Sequence, residues 1–268
     1  MTKNKQHIHA LWIGNQLSFV ELLTIKSFIA HGFEFHLWLY NPLVTEIPDK
    51  VIVEDASKII PRHEVFKYKY KNQFGHGKGS YAGFSDVFRY KLLYEYGGWW
   101  TDMDVTCLKK PDFEDEYVFR THHSLPLVGN IMKVPPKSDL MKACYKEAHA
   151  QINENNRDWH LPIQILADNV EKFGLTEHIK TFTNPDSWNL IRKFLITNPN
   201  IPSEWYMIHW VNEEWRRNKI SKLRVINHSL LSNLLETYDI LHKNAQANRK
   251  LHYLYRTSLL GYVFNRYV

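Results

Sequence analysis

The spacing of apolar residues at the start of the chain predicts alternating strands and helices. Residues 7–14, HIHALWIG, form a short apolar run ending in glycine, which is typical of a buried strand. Residues 17–32 have apolar positions at helical spacing and also end in glycine, so they predict a helix. Residues 33–40 alternate in polarity, and residues 51–55 form another short strand-like run. Strand, helix and strand at this spacing indicate a βαβ unit with a parallel sheet.

A glycine-rich segment and a second helix follow this unit. Residues 72–80, NQFGHGKGS, predict a mobile loop, and they are not a Walker loop because GKG departs from GK[ST]. Residues 81–96 carry an apolar stripe and end in glycine, so they predict a helix. Asp86 and Arg89 are three residues apart in this helix and therefore occupy neighbouring positions. Residues 98–105 then predict a strand that breaks at two aspartates.

The remaining pattern extends the α/β region and ends in basic helices. Strands are predicted at residues 116–120, 127–134 and 204–210, and helices at residues 138–152 and 161–174. The stretch between the second of these helices and the last strand is predicted to be loop-rich. From Glu213 onward the pattern is helical and basic, and it ends in the aromatic segment 253–264. We therefore expect a domain over residues 1–215 and a helical C-terminal extension over residues 216–268.

Composition favours a globular protein without a membrane span. The chain has 268 residues, 44% hydrophobic and 14% aromatic, which is enough for a sizeable core. No stretch approaches the about 18 consecutive apolar residues of a membrane-spanning helix. The N-terminus lacks a long apolar stretch and a small-residue cleavage site, so we expect no signal peptide. Cys107 and Cys144 do not make a disulfide framework, which favours a reducing compartment, and we expect a cytoplasmic protein.

The basic charge of the chain leaves its partner open. The net charge is +6, and basic residues cluster at residues 67–71 and 216–266. Such a surface suits nucleic acid, anionic lipid headgroups or a phosphorylated substrate, and it is equally consistent with a solvated lysine-rich face. Because no zinc-finger spacing, RNA-recognition aromatic motif or basic zipper occurs, we expect no nucleic-acid partner.

Two aspartates stand in an aromatic stretch, YEYGGWWTDMDV, at residues 94–105. Like charges this close repel each other unless water or a cation intervenes. At a spacing of two, Asp102 and Asp104 are expected on the same side of an extended segment. Paired carboxylates in that position are good ligands for Mg²⁺ or Mn²⁺, which also bind substrate phosphates. The alternative is an exposed strand end with two solvated acids.

The residues around this pair resemble the core of glycosyltransferase family 32, which is related to the large clostridial glucosylating toxins. The family pattern is an S-D-x-x-R helix, a Gly-Gly turn, an aromatic residue and a D-x-D motif. Residues 85–105 contain these parts in that order, as Asp86, Arg89, Gly97, Gly98, Asp102 and Asp104.

Further matches extend the resemblance along the chain. Ile8–Gly14 resembles the opening I-H-x-x-W-x-G motif of the family, including Trp12. Asn130 resembles an asparagine that precedes the mid-domain strand. His209 and Trp215 resemble the ends of an H-x-x-x-x-S-W motif, with Glu214 in place of the serine.

The resemblance implies a GT-A fold, an α/β Rossmann-like mixed sheet flanked by helices, with ligands at the carboxyl ends of the parallel strands. Residues 1–215 would then be the catalytic domain that binds the nucleotide sugar. The implied catalytic residues are Asp86, Arg89, Asp102 and Asp104. The implied residues for binding the nucleotide sugar are Trp12, Gly14, Asp86, Arg89, Asp102, Asn130, His209 and Trp215. The implied ligands for Mn²⁺ or Mg²⁺ are Asp102, Asp104 and His209.

The implied reaction is transfer of a hexosyl group from a UDP-sugar, with retention of configuration. The acceptor would be a glycan or a lipid-linked saccharide. The lysine-, asparagine- and isoleucine-rich composition favours a bacterial enzyme of capsule or lipopolysaccharide synthesis. The basic aromatic residues 216–268 would either dock the enzyme on the inner face of the plasma membrane or form a packed annex.

Two other functions fit parts of the sequence. Residues 102–106, DMDVT, fit the D-x-D-x-[TV] signature of haloacid-dehalogenase-like phosphatases, whose first aspartate is a nucleophile. In those enzymes the motif usually lies on the first strand, whereas here it is about a hundred residues into the chain. A non-enzymatic basic module that binds glycans or membranes is the other alternative.

Overall fold

The computed structural model describes residues 6–241 of the chain. The strands in this range are β1 (His7–Trp12), β2 (Glu34–Leu39), β3 (Ile52–Asp55), β4 (Gly98–Thr101), β5 (Val105–Cys107), β6 (Val118–Arg120), β7 (Val128–Val134), β8 (Ile179–Lys180) and β9 (Met207–His209). The helices are α1 (Phe19–Ala30), α2 (Ala82–Tyr96), α3 (Asp139–Gln151), α4 (Leu161–Lys172), α5 (Trp188–Ile196), α6 (Asn212–Arg217) and α7 (Leu230–Thr237).

Seven of these strands form one mixed sheet in the order β3-β2-β1-β4-β7-β6-β8. Strands β3, β2, β1 and β4 run parallel to one another, whereas β7 is antiparallel to both β4 and β6. The predicted α/β architecture, a mixed sheet flanked by helices, is therefore confirmed. Because β1 and β4 are parallel neighbours, the residues that follow them emerge at the same edge of the sheet.

Both faces of the sheet are covered by apolar cores. Trp99 packs in a core that includes Phe28 of α1, whereas the next residue, Trp100, packs in a core that includes Phe88 of α2. Successive strand side chains point to opposite faces, so this alternation places one helix layer on each side. Strands buried on both faces are expected to be apolar throughout, which explains the unbroken apolar runs in the sequence.

The turn between α2 and β4 depends on glycine. Gly97 ends α2 with φ 64° and ψ −159°, a combination that other residues rarely adopt. A Cβ atom at this position would lie 2.3 Å from the backbone nitrogen of Pro136. The predicted glycine stop is thus present, and it turns the chain directly from α2 into the central strand β4.

The two aspartates do not lie on an extended segment as predicted. Strand β4 ends at Thr101, residues 102–104 form a turn, and β5 begins at Val105. The amide of Asp102 donates to the carbonyl of Asn130 at 2.7 Å, after which the chain leaves the main sheet. Strand β5 then pairs with β9 in a separate two-stranded sheet.

The stretch predicted to be loop-rich contains β8 and α5. Helix α5 begins after Ser187, whose hydroxyl accepts from the amide of Leu190 at 3.5 Å. Ile191, Phe194 and Leu195 lie on the buried side of this helix. Their spacing is helical, so the sequence does contain the signal for α5.

The first part of the predicted C-terminal extension is helical and packed. Leu231 and Leu235 of α7 share an apolar core with Val20 of α1, Ile191 and Trp215. Residues 242–268, including the aromatic segment 253–264, lie outside the described residues. The domain boundary at residue 215 therefore stays a prediction. Within residues 6–241, none of the helices has the length and apolar character needed to cross a bilayer.

Candidate active site

A cleft with a volume of about 590 Å³ opens at the carboxyl ends of β1 and β4. One wall is the first half of α2, and another is the loop that contains residues 74–81. The start of α6 and the turn at residues 102–104 complete the lining. The carboxyl edge of parallel strands is where open α/β sheets bind ligands, so this cleft is the candidate site.

Arg89 joins α2 to the turn that carries the aspartates. Its Nη1 lies 3.2 Å from Asp86 Oδ1, and its Nη2 donates to Asp102 Oδ1 at 2.8 Å. The indole N–H of Trp100 donates to the same oxygen at 2.8 Å. Burial raises the pKa of Asp86 to about 6, although Arg89 opposes the shift. The two halves of the sequence motif are therefore in direct contact through one guanidinium.

Gly129 of β7 makes room for this guanidinium. A Cβ atom at Gly129 would lie 2.7 Å from Arg89 Nη1. Next to it, Asn130 accepts from Arg120 Nη1 at 3.2 Å, but its own Nδ2 has no partner. Arg89 Nε is also buried without a partner. Buried donors without partners are rare, and both residues line the cleft, so a ligand oxygen is a fitting acceptor for them.

Asp104 is held by residues that lie about a hundred positions later in the chain. Its Oδ2 accepts from the amide of Asn212 at 2.6 Å and lies 3.3 Å from Nε2 of His209. Nδ1 of His209 is 2.7 Å from Oδ1 of Asp186, so the imidazole lies between two carboxylates. Burial by itself lowers the pKa of His209, but Asp186 and Asp104 raise it to about 10. In the absence of a cation, His209 is therefore protonated at neutral pH.

The two carboxylates beside His209 remain ionised. Burial opposes ionisation of Asp104, yet His209 and the amide of Asn212 hold its pKa below the ordinary value. Burial likewise opposes ionisation of Asp186, but His209 and Arg120 hold its pKa well below the ordinary range. Asp102 differs, because its burial raises the pKa in spite of Arg89. The carboxylates of the site are thus paired with basic side chains rather than isolated.

Arg120, Asp186 and His122 belong to this site but were not predicted from the sequence. Arg120 is 1% exposed and donates through Nη1 to Asp186 Oδ2 at 2.9 Å. Nε2 of His122 lies 3.5 Å from the same oxygen, and burial lowers the pKa of His122 to about 4. A charged residue at the end of the predicted strand 116–120 was the available signal for Arg120. Asp186 lies in the stretch predicted to be loop-rich and had no such signal.

Seven of the nine predicted site residues line the cleft: Trp12, Asp86, Arg89, Asp102, Asp104, Asn130 and His209. Gly14 does not line it, and a Cβ atom there would lie 3.2 Å from Nε1 of Trp12, so Gly14 packs against that indole. Trp215 does not line it either. Its ring is 1% exposed, its indole N–H donates to the carbonyl of Trp210 at 2.7 Å, and it packs in the core with α5 and α7.

The two aspartates have free oxygens for a hard divalent cation, but the three predicted ligands are not arranged around one point. Within residues 6–241, no protein donor is bonded to Oδ2 of Asp102 or to Oδ1 of Asp104, which leaves two carboxylate oxygens for a cation or its water. Asp102, Asp104 and His209 do not form a group with three ligand atoms within 4.8 Å of one another. Asp104 adjoins His209, whereas Asp102 is held toward Arg89.

The loop predicted to be mobile is tied to α6 across the cleft. Nδ1 of His76 lies 3.4 Å from Oε1 of Glu213, and Arg216 donates to the carbonyl of Lys78 at 3.0 Å. The ring of His76 also packs edge-on against Trp159, at 5.2 Å between centroids. These contacts place the glycine-rich loop on the rim of the candidate site.

Residues 38–121 match a family model described as a glycosyltransferase sugar-binding region containing a DXD motif. The matched range includes Asp86, Arg89, Asp102 and Asp104. No curated protein matches the chain.

Three solved structures to which the chain shows similarity are described as glycosyltransferases. The PaToxG glycosyltransferase is 15% identical with a TM-score of 0.45, over 63% of this chain and 68% of that one. The UDP-bound glycosyltransferase domain from the YGT toxin is 10% identical with a TM-score of 0.40, over 90% and 87%. The glycosyltransferase GlyE in Streptococcus pneumoniae TIGR4 is 11% identical with a TM-score of 0.38, over 99% and 65%.

Proposed function

We propose that this chain, whose residues 38–121 match a glycosyltransferase region with a DXD motif, is a metal-dependent, retaining hexosyltransferase that uses a UDP-sugar. The observation that carries the proposal is the contact of Arg89 with both Asp86 and Asp102 at the cleft. It joins the S-D-x-x-R helix and the D-x-D turn into one polar surface, which a sugar diphosphate can span.

The donor is proposed to bind with its phosphates at the aspartate turn and its sugar toward α2. Asp104 would hold Mn²⁺ or Mg²⁺, and Asp102 would contact the ribose and a metal-bound water. The bound cation would stabilise the negative charge that develops on the departing nucleoside diphosphate. Asp86 and Arg89 would hydrogen-bond the sugar hydroxyls, because both face the cleft beside the turn. The indole of Trp12, at the end of β1, would stack on the uracil base.

His209 is proposed to change its protonation when the cation binds. As an imidazolium it fixes the orientation of the Asp104 carboxylate. A cation beside Asp104 would disfavour this positive charge and would compete with the proton for Nε2. His209 would then become a ligand, oriented by its bond to Asp186.

The stereochemistry and the acceptor rest on the family resemblance of residues 85–105. We propose retention of the anomeric configuration, with the departing phosphate rather than a side chain deprotonating the acceptor. The acceptor would be a glycan or lipid-linked saccharide of a bacterial capsule or lipopolysaccharide. A cytoplasmic location, and peripheral membrane docking through residues 216–268, stay predictions.

The phosphatase alternative is disfavoured by the position of Asp102. In that alternative Asp102 is the nucleophile and follows the first strand of the chain, whereas here it follows β4, the fourth strand in chain order. No observation favours the non-enzymatic binding module over a transferase.

The test is a screen of sugar nucleotides for Mn²⁺-dependent hydrolysis and transfer, with Asp104→Asn as the variant. We expect hydrolysis of at least one UDP-sugar and a loss on the order of 100-fold or more in the variant, because the cation loses an anionic ligand. The matched control is Asp112→Asn, an exposed aspartate that accepts from Tyr206 outside the cleft, and it should keep full activity.

Three results would count against the proposal. The first is that no sugar nucleotide is bound or hydrolysed at millimolar Mn²⁺. The second is release of phosphate from a simple phosphomonoester without sugar-nucleotide binding, which would favour the phosphatase. Equal activity in the Asp104→Asn variant would remove Asp104 from the mechanism.

A further inference from the structure

Three side chains of metal-binding type meet at the opposite end of the sheet from the cleft. His7 and Glu34 are the first residues of β1 and β2 and are paired in register, and His36 lies two residues further along β2. The cleft begins at Leu11, four residues along β1 from His7, which corresponds to roughly 13 Å of strand. This cluster is therefore separate from the candidate active site.

The distances within the cluster are those of three ligands around one metal ion. Oε1 of Glu34 lies 3.0 Å from Nδ1 of His7 and 3.2 Å from Nε2 of His36. The two imidazole nitrogens are 3.2 Å apart. Ligands bonded to zinc at about 2.0–2.2 Å, at angles between octahedral and tetrahedral, are about 2.9–3.5 Å apart. Within residues 6–241, this is the one group of three His, Cys, Asp or Glu side chains whose ligand atoms lie within 4.8 Å of one another.

Hydrogen bonds alone do not satisfy these three atoms. The carboxylate oxygen of Glu34 only accepts, so a good bond to each ring requires an N–H on both facing nitrogens. The two N–H groups would then point at each other across 3.2 Å. If either ring instead presents a lone pair, that lone pair faces the carboxylate oxygen. A cation at the centre is an acceptor for all three lone pairs and removes the conflict.

The surroundings of His36 resemble the outer shell of a metal site. Its second nitrogen, Nδ1, faces Oε1 of Glu54 on β3 at 3.7 Å, and metal-bound histidines commonly direct their other nitrogen to a carboxylate. The neighbouring His9 has a hydrogen-bond partner outside the cluster, because its Nδ1 accepts from the indole N–H of Trp38 at 3.3 Å. The side chain of His7 is 56% exposed, so an ion can enter from solvent.

We propose that His7, Glu34 and His36 form a zinc site that fastens the start of β1 to β2, with a fourth position open to water. Two imidazoles and one carboxylate are a typical ligand set for zinc, whereas Mg²⁺ and Mn²⁺ favour oxygen-rich sites such as the aspartate turn. Because the site joins two strands at the end of the sheet away from the cleft, the effect that we expect of the ion is on the stability of the fold. It does not depend on the proposed glycosyl transfer.

The experiment is calorimetric titration of the full chain with Zn²⁺, without a polyhistidine tag, after EDTA treatment and in excess Mg²⁺. We expect the unchanged chain to bind one zinc ion. In His7→Ala the zinc affinity should fall at least about 10-fold or binding should be lost, since one of three protein ligands is removed. The matched control is His149→Ala, because His149 is similarly exposed at 52% and pairs with a single carboxylate, Glu64, at 3.3 Å. Its zinc binding should equal that of the unchanged chain.

A second readout reports the effect on the fold. Zinc at about 100 times its Kd should raise the midpoint of thermal unfolding by about 5 °C in the unchanged chain and in His149→Ala. The midpoint of His7→Ala should not shift, and Glu34→Gln, which keeps the side-chain size, should behave in the same way. The absence of zinc binding overturns the proposal, and so does equal zinc affinity in the His7→Ala and unchanged chains.

Discussion

At the residue scale, the ion pair between Arg120 and Asp186 has the largest predicted effect on stability. Arg120 is 1% exposed, and Asp186 connects it to His209 and from there to Asp104. A buried guanidinium is tolerated only when its charge is compensated and its donors are bonded. Asp186 therefore supports the site through the charge that it neutralises, even though it is remote from the D-x-D motif in sequence.

We predict that Asp186→Asn destabilises the protein by about 3–5 kcal/mol, because it leaves Arg120 and His209 without their shared anionic partner. Urea unfolding of the metal-free chain measures this cost. The control is Glu154→Gln, which breaks the exposed ion pair with Lys69 and should cost no more than about 1 kcal/mol. Equal losses in the free energy of unfolding for the two variants would show that the buried ion pair contributes no more to stability than the exposed one.

At the element scale, the junction of α2 and β4 connects the helix of Asp86 and Arg89 to the strand before the aspartates. Gly97 achieves this in a single residue, with a backbone conformation reserved for glycine. The chain at Pro136 packs so closely against it that a side chain has no space. The relative position of the two motif halves thus depends on this glycine and on Gly98, which follows it with φ 83°.

Replacement of Gly97 by alanine should cost at least about 3 kcal/mol, from the backbone strain together with the overlap against Pro136. Gly32 is the matched control, because it follows α1 with φ 83° and a Cβ atom added there would have no neighbouring atom within 4 Å. Gly32→Ala should cost only about 1–2 kcal/mol of left-handed strain. Chemical unfolding compares the two, and similar losses would contradict the packing argument.

The elements that the sequence predicted are those with a clear local pattern. Strands β1 and β2, helices α1 and α2 and the glycine stop at Gly97 were all visible as apolar periodicity and punctuation. Helix α5 has the same kind of signal in Ser187 and its apolar spacing, so it was predictable, and the expectation of a loop there is wrong. The turn at residues 102–104 was not predictable, because it is set by the bond to Asn130 and by the departure of β5 toward β9.

The site was predictable only where its residues are close in sequence. The resemblance of residues 85–105 brought out Asp86, Arg89, Asp102 and Asp104, all of which line the cleft. Arg120 and Asp186 meet across 66 positions, and no local pattern links them. Trp215 was chosen by motif position, but the apolar environment beside α5 and α7 places it in the core.

At the scale of the whole molecule, two segments from distant parts of the chain meet at the rim of the cleft. The contacts of His76 with Glu213 and of Arg216 with Lys78 join the glycine-rich loop to α6. Since the bond from Arg216 to Lys78 is exposed and a single exposed bond contributes little to stability, the loop should open easily at Lys78. Such an opening is a simple route for a large donor to enter.

We predict that Arg216→Ala increases amide hydrogen exchange in residues 74–79 by a few-fold to about 10-fold, because it removes the bond to the carbonyl of Lys78. The matched control is Arg217→Ala. Arg217 is the adjacent arginine, it pairs with Glu214 within α6, and its loss should leave exchange in the loop unchanged. Equal exchange in all three proteins would show that Arg216 does not hold the loop.

The pairing of β5 with β9 also has a consequence for the order in which the site is made. The bond from Asn212 to Asp104 spans 108 positions, so Asp104 leaves the ribosome well before its partners. At about 5–20 residues per second, the delay is about 5–20 s. During this interval the nascent chain contains Asp102 and Asp104, but Asp186, His209 and Asn212 have not yet been added. One wall of the cleft is therefore translated long before the residues that complete it.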